Sequence, residues 1–254
     1  MTKCSVVIIV LNEARNLPRI LESVSWADEI LVMDSGSIDD SALICSRYPN
    51  CRILNQPFLG YGPQKRLAVA KASHDWILSL DADEVPDKEM QESVKRLLHD
   101  GSNEYAGYYL TRRLVFMGRE FKYGKEANGH ILRFFDRRKG NYTAAVVHEK
   151  VEVEGPTGNL SGTLKHYSYA DFPDYFRRFN EYTTLMASRM YENGITTNAL
   201  GIVLRPPWVF IQYYFLRLNF LNGFPGFVYS FLTAYYKTVK YLKLYELRKS
   251  AAAD

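Results

Sequence analysis

Apolar segments with strand character alternate with segments of helical periodicity through the first hundred residues. Residues 5–10 form an unbroken, β-branched apolar run, and residues 16–24 then place apolar side chains at helical spacing. Further strands are predicted at 29–33, 52–55 and 76–80, and further helices at 37–47, 63–72 and 87–99. Such a βα series predicts an α/β fold with a mainly parallel, doubly wound sheet, whose ligands bind beyond the carboxyl ends of the strands.

Polar residues follow three of these predicted strands, at 12–13, at 34–37 and at 81–84. Within the last group Asp81 and Asp83 are two residues apart, which in an extended backbone places both carboxylates on one face. Such hard oxygen ligands suit Mg²⁺ or Mn²⁺ bound to phosphate. The alternative is purely structural: acidic residues are favoured just before a helix, and Asp87 is in position to cap the next one. A capping box at 37–40 is likewise predicted to open the second helix.

Composition narrows the class of protein. The chain has 254 residues, of which 47% are hydrophobic, so it can bury a substantial core and is not disordered. A net charge of +4 is too small to indicate nucleic-acid binding. Three cysteines at no metal-ligand spacing favour a reduced, cytosolic compartment. The first apolar run lacks a cleavage signal, so we interpret it as a strand and not as a signal peptide.

Three motifs resemble the nucleotide-sugar domain of inverting family-2 glycosyltransferases with the GT-A fold. They lie at residues 5–13, 32–39 and 80–84, in the family's order and spacing. Segments 60–66 and 147–150, with the aromatic tail from Pro206, further resemble bacterial lipopolysaccharide inner-core β-1,4-glucosyltransferases. The resemblance implies transfer of a sugar, expected to be glucose, from a UDP donor to a heptose hydroxyl of a lipid-linked core. This chain departs from the family at Arg66, where typical members carry asparagine.

The resemblance also implies roles for individual residues. Asp83 would ligate the Mg²⁺ or Mn²⁺ ion, which acts as a Lewis acid, and His166 would complete the metal or diphosphate shell. Asp34 matches the family's uracil-binding carboxylate, and Asp81 would contact the ribose or a metal-bound water. The implied nucleotide-sugar-binding residues are Leu11, Asn12, Glu13, Asp34, Gly36, Lys65, Arg66, Asp81 and Ala82.

Inversion at the anomeric carbon requires a general base on the acceptor side. The resemblance implies that this base is a carboxylate from the segment after the D-x-D motif, Asp81-Ala82-Asp83, where the candidates are Asp136, Glu149 and Asp171. The alternative for Glu149 is an exposed strand residue. We favour Glu149, because it stands at the edge of an alternating strand pattern. His148 could orient this base or contact the acceptor, and Asp136 remains a second acceptor-side candidate.

The last part of the chain differs in character. We predict domains at 1–170 and 171–254, the second being a helical, aromatic and basic appendage. No run of about twenty apolar residues is free of charges or helix breakers, which favours in-plane or re-entrant helices at a membrane surface. The basic residues predicted to face anionic headgroups are Lys237, Lys240, Lys243, Arg248 and Lys249. The alternative is a helical subdomain packed on the core or on a second subunit.

A lipid-linked acceptor implies a peripheral or monotopic protein on the cytoplasmic face of the bacterial inner membrane.

Two rival functions share parts of this sequence pattern of strands, helices and acidic residues. A polyprenyl-phosphate glycosyltransferase has an ionised acceptor and needs no general base. A sugar nucleotidyltransferase would need a glycine-rich loop after the first strand, where this chain has no glycine at 12–16. The sequence leaves the oligomeric state open.

Overall fold

The computed structural model describes residues 2–101, 104–143, 149–169 and 171–251. The chain forms two compact units. The first comprises Met1–Arg113 and Gly129–His166, and the second comprises Leu114–Asn128 and Tyr167–Asp254. The second domain predicted from the sequence is 171–254, whereas the second unit also includes the insertion Leu114–Asn128, which the sequence did not indicate.

The elements follow the predicted alternation. The strands are β1 (Cys4–Val10), β2 (Glu29–Asp34), β3 (Cys51–Asn55), β4 (Trp76–Asp81), β5 (Glu84–Pro86), β6 (Gly107–Phe116), β7 (Arg119–Glu120), β8 (Gly129–Asp136), β9 (Gly140–Tyr142), β10 (Val151–Val153) and β11 (Thr157–His166). The helices are α1 (Leu17–Val24), α2 (Ser41–Cys45), α3 (Tyr61–Lys71), α4 (Lys88–Asp100), α5 (Phe172–Glu192), α6 (Ala199–Ile211) and α7 (Phe224–Ser250).

The main sheet has the strand order β3-β2-β1-β4-β8-β6-β11-β5. Its first four strands are parallel, as predicted. The pairs β4 with β8, β8 with β6, and β11 with β5 are antiparallel, so the sheet is mixed and not mainly parallel. Parallel neighbours need long crossovers, whereas β6 and β8 are joined without an intervening α-helix, which favours antiparallel pairing of these two strands.

Both faces of the parallel strands are covered, which explains why their sequences are almost continuously apolar. In β1, Val6 and Ile8 pack into one core with residues of α1 and α4. Val7 points to the other face, where it packs with Ala68 and Val69 of α3. The doubly wound arrangement predicted from the sequence is therefore confirmed for this half of the sheet.

The second helix is shorter than predicted. The capping box at 37–40 was expected to open a helix through Arg47, but α2 spans only Ser41–Cys45. The Ser37 hydroxyl instead donates to Asp34 Oδ1 at 2.5 Å, and its oxygen accepts the Asn12 N–H at 2.8 Å. Such local bonds from serine and aspartate side chains compete with helix formation, and here they build a loop. The fourth helix does begin as predicted, since the Asp87 carboxylate accepts the Met90 N–H.

In the second unit α5 and α6 both pack on α7. The insertion is fixed by Asn222, whose Oδ1 accepts the N–H groups of Lys122 and Tyr123 at 3.1 and 3.3 Å. Asn222 Nδ2 in turn donates to the Tyr123 carbonyl at 3.0 Å. Within the described ranges, no helix combines the length and apolar character needed to cross a membrane.

Two of the five basic residues predicted to face headgroups are engaged inside this unit. Lys243 Nζ donates to the Asn180 carbonyl and to the Thr183 and Thr184 hydroxyls at 2.7 to 3.0 Å. Arg248 Nε donates to the Ile195 carbonyl at 2.7 Å. These two side chains join α7 to α5 and to the segment after it, so the prediction that they face headgroups is not supported by their contacts.

Candidate functional site

The predicted polar groups converge at the carboxyl ends of β1, β2 and β4. In the sheet register Val10 pairs with Asp34 on β2, and Ile9 pairs with Asp81 on β4. The backbones of Asp34 and Asp81 thus lie on either side of the end of β1, about 10 Å apart across two strand spacings. The strand order changes direction here, because β1 has β2 on one side and β4 on the other, and ligands bind at such switch points.

The loops after β1 and β2 are joined by side-chain hydrogen bonds. Asn12 adopts a positive φ of 55°, which asparagine tolerates, and its Oδ1 accepts the Ile38 N–H at 2.9 Å. The buried Asp34 carboxylate accepts the Ser37 N–H at 3.1 Å as well as its hydroxyl. Gly36 lies between them at φ 98°. Asp34 is therefore oriented by its loop before any ligand binds.

The predicted residues Leu11 and Glu13 have different surroundings. The Leu11 side chain is exposed at the tip of β1. The Glu13 N–H donates to Ser41 Oγ at 3.1 Å, and the Glu13 carboxylate accepts from Asn16 Nδ2 at 2.7 Å. Glu13 thereby links the start of α1 to the start of α2.

Asp81 lies between two cations. Its Oδ1 is 2.7 Å from Lys65 Nζ, and its Oδ2 is 2.9 Å from Arg133 Nη2. Burial would raise the pKa of Asp81, but the charges of Arg133 and Lys65 outweigh it and hold that pKa well below its usual range. Ala82, the next residue, is buried. Asp81 is thus an ionised carboxylate with both oxygens engaged.

Lys65 bridges Asp81 and the predicted base. Its Nζ, on a side chain only 3% exposed, is 2.8 Å from Glu149 Oε1. Burial lowers the pKa of Lys65, but the adjacent Asp81 carboxylate reverses this and raises the pKa overall. The fold therefore brings Glu149 to Lys65 across 84 residues of sequence, and Lys65 in turn contacts Asp81 at the end of β4. Arg66 is exposed, with its Nη1 3.4 Å from the Tyr142 carbonyl.

Sequence reasoning missed a buried network behind Asp81. Arg133, on β8, also donates to the Tyr142 hydroxyl, which in turn donates to Ser79 Oγ at 2.8 Å. Glu84 is fully buried, and its carboxylate accepts the Asp81 N–H and a bond from Arg112 Nη1, both at 3.1 Å. One signal was present, because Arg133 interrupts the apolar run 131–135 and a buried arginine requires an acidic partner.

Asp83 and His166 contact each other, and His166 lies close enough to Asp81 and Glu84 to interact with their charges. His166 Nε2 is 3.3 Å from Asp83 Oδ2. Burial lowers the pKa of His166, but the hydrogen bond to Asp83 and the charges of Asp83 and Glu84 raise it overall above its usual value near 6.5. Across the described residues, no group of three or more His, Cys, Asp or Glu side chains is arranged to hold a metal ion. The pair supplies one carboxylate and one imidazole, a donor set that fits a divalent ion taking its other ligands from phosphate and water.

Of the acceptor-side candidates, Asp136 is not brought to this site. Asp136 pairs with Trp76 at the opposite end of β4, about 16 Å along the strand from Asp81. Its buried carboxylate is bound by Arg138 Nη2 at 2.6 Å, so it is not retained as a candidate. Asp171 lies in the second unit, where it accepts the Asp174 N–H at the start of α5. His148 lies outside the described residues.

A family model described as glycosyl transferase family 2 matches residues 5–152, more than half of the chain. The chain belongs to glycosyltransferase family 2. It is therefore a glycosyltransferase, and the mixed sheet with flanking helices fits the GT-A fold expected from the sequence. The matched range contains Asp34, Lys65, Asp81, Asp83 and Glu149, whereas His166 lies beyond it.

Similar proteins extend over nearly the whole chain. The lipopolysaccharide core biosynthesis glycosyltransferase LpsC of Rhizobium meliloti is 32% identical, covering 91% of this chain and 90% of that protein. An uncharacterized glycosyltransferase of Rickettsia typhi is 26% identical, covering 97% and 88% respectively. The crystal structure of S. aureus TarS superposes with a TM-score of 0.46 at 15% identity, covering 98% of this chain and 92% of that one.

Proposed function

We propose that this family-2 glycosyltransferase is an inverting enzyme of lipopolysaccharide core assembly. In this proposal it transfers glucose from UDP-glucose to a heptose hydroxyl of the inner core. The observation that carries the proposal is the 32% identity to LpsC over 91% of the chain, because LpsC is named for lipopolysaccharide core biosynthesis. The arrangement of charged groups at the sheet edge agrees with transfer from a nucleotide sugar.

The donor site is proposed at the switch point between β1 and β4. The Asp34 carboxylate, fixed by Ser37, is an acceptor suited to the N3–H of uracil. Lys65, at the diphosphate end of the site, already contacts two carboxylates, and a diphosphate would compete with them for the ammonium group. In this proposal uracil recognition falls to the end of β2 and diphosphate binding to α3.

Asp83 and His166 are the residues proposed to hold Mg²⁺ or Mn²⁺. When bound, the ion supplies Lewis-acid stabilisation of the negative charge that develops on the leaving diphosphate. A ligating imidazole must be neutral, so the proton that Asp83 stabilises on His166 has to leave before the ring can act as a ligand. Asp81 does not compete for this role, because Lys65 and Arg133 engage both of its oxygens.

Glu149 is the proposed general base. As the acceptor hydroxyl oxygen attacks the anomeric carbon, its proton passes to Glu149 and the bond from that carbon to the diphosphate oxygen breaks. The carboxylate is 14% exposed and forms an ion pair with Lys65 Nζ at 2.8 Å. A donor diphosphate that attracts Lys65 would release this carboxylate from the ion pair.

We further propose that the second unit binds the cytoplasmic surface of the inner membrane, where a lipid-linked acceptor would lie. Support comes from the large apolar side chains that α6 and the following segment leave exposed. They include Leu200, Val203, Leu204, Trp208, Ile211, Phe215 and Leu216. An aromatic and apolar surface of this composition is typical of interfacial helices.

The decisive experiment is incubation of the purified protein with a panel of UDP-sugars, a divalent ion and truncated lipopolysaccharide, followed by mass analysis of the product. Glu149→Gln is expected to abolish transfer, while Glu152→Gln, at an exposed carboxylate paired with the exposed Lys150, should leave it intact. A product on polyprenyl phosphate, insensitive to Glu149→Gln, would favour the rival transferase. Full turnover of Asp83→Ala in the presence of a chelator would refute the metal assignment.

A further inference from the structure

The second unit contains cations without acidic partners among the described residues. Arg217 and Lys237 both lie over the ring of Tyr213, with Arg217 Cζ 4.1 Å and Lys237 Nζ 4.9 Å from its centroid. Two positive groups that share one ring are held close together. The Tyr213 ring attracts each cation through its quadrupole, but it supplies no negative charge.

A second pair shares the ring of Tyr241. Arg205 Cζ is 3.4 Å and Lys240 Nζ is 5.4 Å from its centroid. Because Lys237 and Lys240 are three residues apart on α7, they lie on the same face of that helix. We call Arg205, Arg217, Lys237 and Lys240 the cation cluster.

The cluster is not neutralised within the part of the chain that the structure describes. Its four side chains make no hydrogen bond or ion pair to any described residue, and the Nη1 atoms of Arg205 and Arg217 are enclosed without an acceptor. Burial lowers the pKa of Lys237, and the charges of Arg217, Lys125 and Arg205 lower it further, while Glu126 opposes them.

Lys240 responds in the same way. Burial lowers the pKa of its ammonium group, and the charges of Lys237 and Arg205 add to that effect. Mutual repulsion is therefore built into this helical unit. A bound anion would relieve that repulsion.

We propose that the cation cluster is a binding site for a phosphate-type oxyanion. Arginine offers planar N–H donors that match phosphate oxygens in pairs, and lysine adds point charges. Four cations favour a ligand with more than one negative charge, and a phosphomonoester carries about −1.5 to −2 at neutral pH. The tyrosine rings hold the cations in place without supplying a negative charge to them. The site does not depend on the glycosyl transfer proposed above.

The test compares two double variants with a matched control. Arg217→Gln/Lys237→Gln and Arg205→Gln/Lys240→Gln each remove one tyrosine-associated pair. Arg189→Gln/Lys249→Gln removes the same charge from exposed positions of α5 and α7 outside the cluster. Circular dichroism and thermal unfolding establish that each variant folds. If one cluster variant does not fold, the other carries the test.

Two probes distinguish the source of the phosphate. Calorimetry with inorganic phosphate and pyrophosphate measures binding of the free anion. Flotation with phosphatidylcholine vesicles, with and without phosphatidate, measures binding to a phosphomonoester headgroup. Both cluster variants are expected to bind at least one probe about tenfold more weakly than the intact chain, and the control should bind as the intact chain does. Any phosphate binding in the first unit is common to all variants and cancels in the comparison.

Each outcome decides the proposal. If the cluster variants bind the free anions more weakly than the intact chain does, the ligand is a soluble phosphate. If they bind only the phosphatidate vesicles more weakly, the ligand is a lipid headgroup. If binding is weakened equally in the cluster and control variants, overall charge alone accounts for the binding, and the proposal is overturned. An intact chain that binds neither probe would overturn it as well.

Discussion

Replacing Lys65 by methionine is expected to destabilise the first unit by about 2–4 kcal/mol. The Lys65 ammonium is almost fully buried and lies 2.7 Å from Asp81 and 2.8 Å from Glu149. Removing one partner of a buried ion pair costs about 3–5 kcal/mol, because it leaves an uncompensated charge. The expected loss is smaller here, since Arg133 still contacts Asp81 at 2.9 Å and Glu149 is partly exposed.

Urea unfolding measures this loss directly, and Lys95→Met is the matched control. Lys95 forms a similarly short ion pair with Glu92, at 2.9 Å, but its side chain is 40% exposed. Exposed pairs contribute about 0.2–1 kcal/mol, so the control should change little. The double variant with Asp81→Asn should lose less than the sum of the two single variants, with a coupling of about 0.5–3 kcal/mol.

The pH dependence follows from the lowered pKa of Asp81. A depressed folded-state pKa contributes stability above the unfolded value, near 3.9, and that stability is lost as the pH falls through the folded value. The difference in the free energy of unfolding between the intact chain and Lys65→Met should therefore become smaller in acid, below about pH 4. If Lys65→Met and Lys95→Met are equally stable at neutral pH, the buried network does not stabilise the fold and the reasoning is refuted.

Three further changes test the remaining contacts. Asp34→Asn is expected to raise the donor KM more than it lowers kcat, because a uracil contact is the same in ground and transition states; unchanged UDP affinity in calorimetry would contradict this. His166→Gln should destabilise the fold more at pH 5.5 than at pH 8.5. The raised pKa of His166 contributes stability below about pH 6.5, and that stability is lost as the pH rises through the pKa of His166 in the folded state. A loss by urea unfolding that does not depend on pH would count against the pairing with Asp83. Lys243→Met should cost about 1.5–3 kcal/mol in the second unit, because several bonds to α5 are lost. The control Lys249→Met, at an exposed position, should unfold as the intact chain does.

The sequence by itself determined the parallel half of the sheet and the edge where the site lies. Continuous apolar runs specify strands covered on both faces, and polar residues directly after them must lie at the strand ends. The positions of Asn12, Asp34 and Asp81 at this edge therefore follow from local pattern alone. Asp87 as a helix cap follows from an equally local pattern.

Only the tertiary structure decided which charges meet. The contact of Lys65 with Glu149 joins residues 84 positions apart, and the role of Arg133 depends on β8 pairing beside β4. The antiparallel half of the sheet likewise depends on connections that carry no strong periodic signal. Local periodicity specifies which face of an element is buried, whereas the partner of a buried charge is specified by packing between distant segments. For the same reason the predicted capping box at 37–40 became a loop around Asp34, since its side chains found partners there.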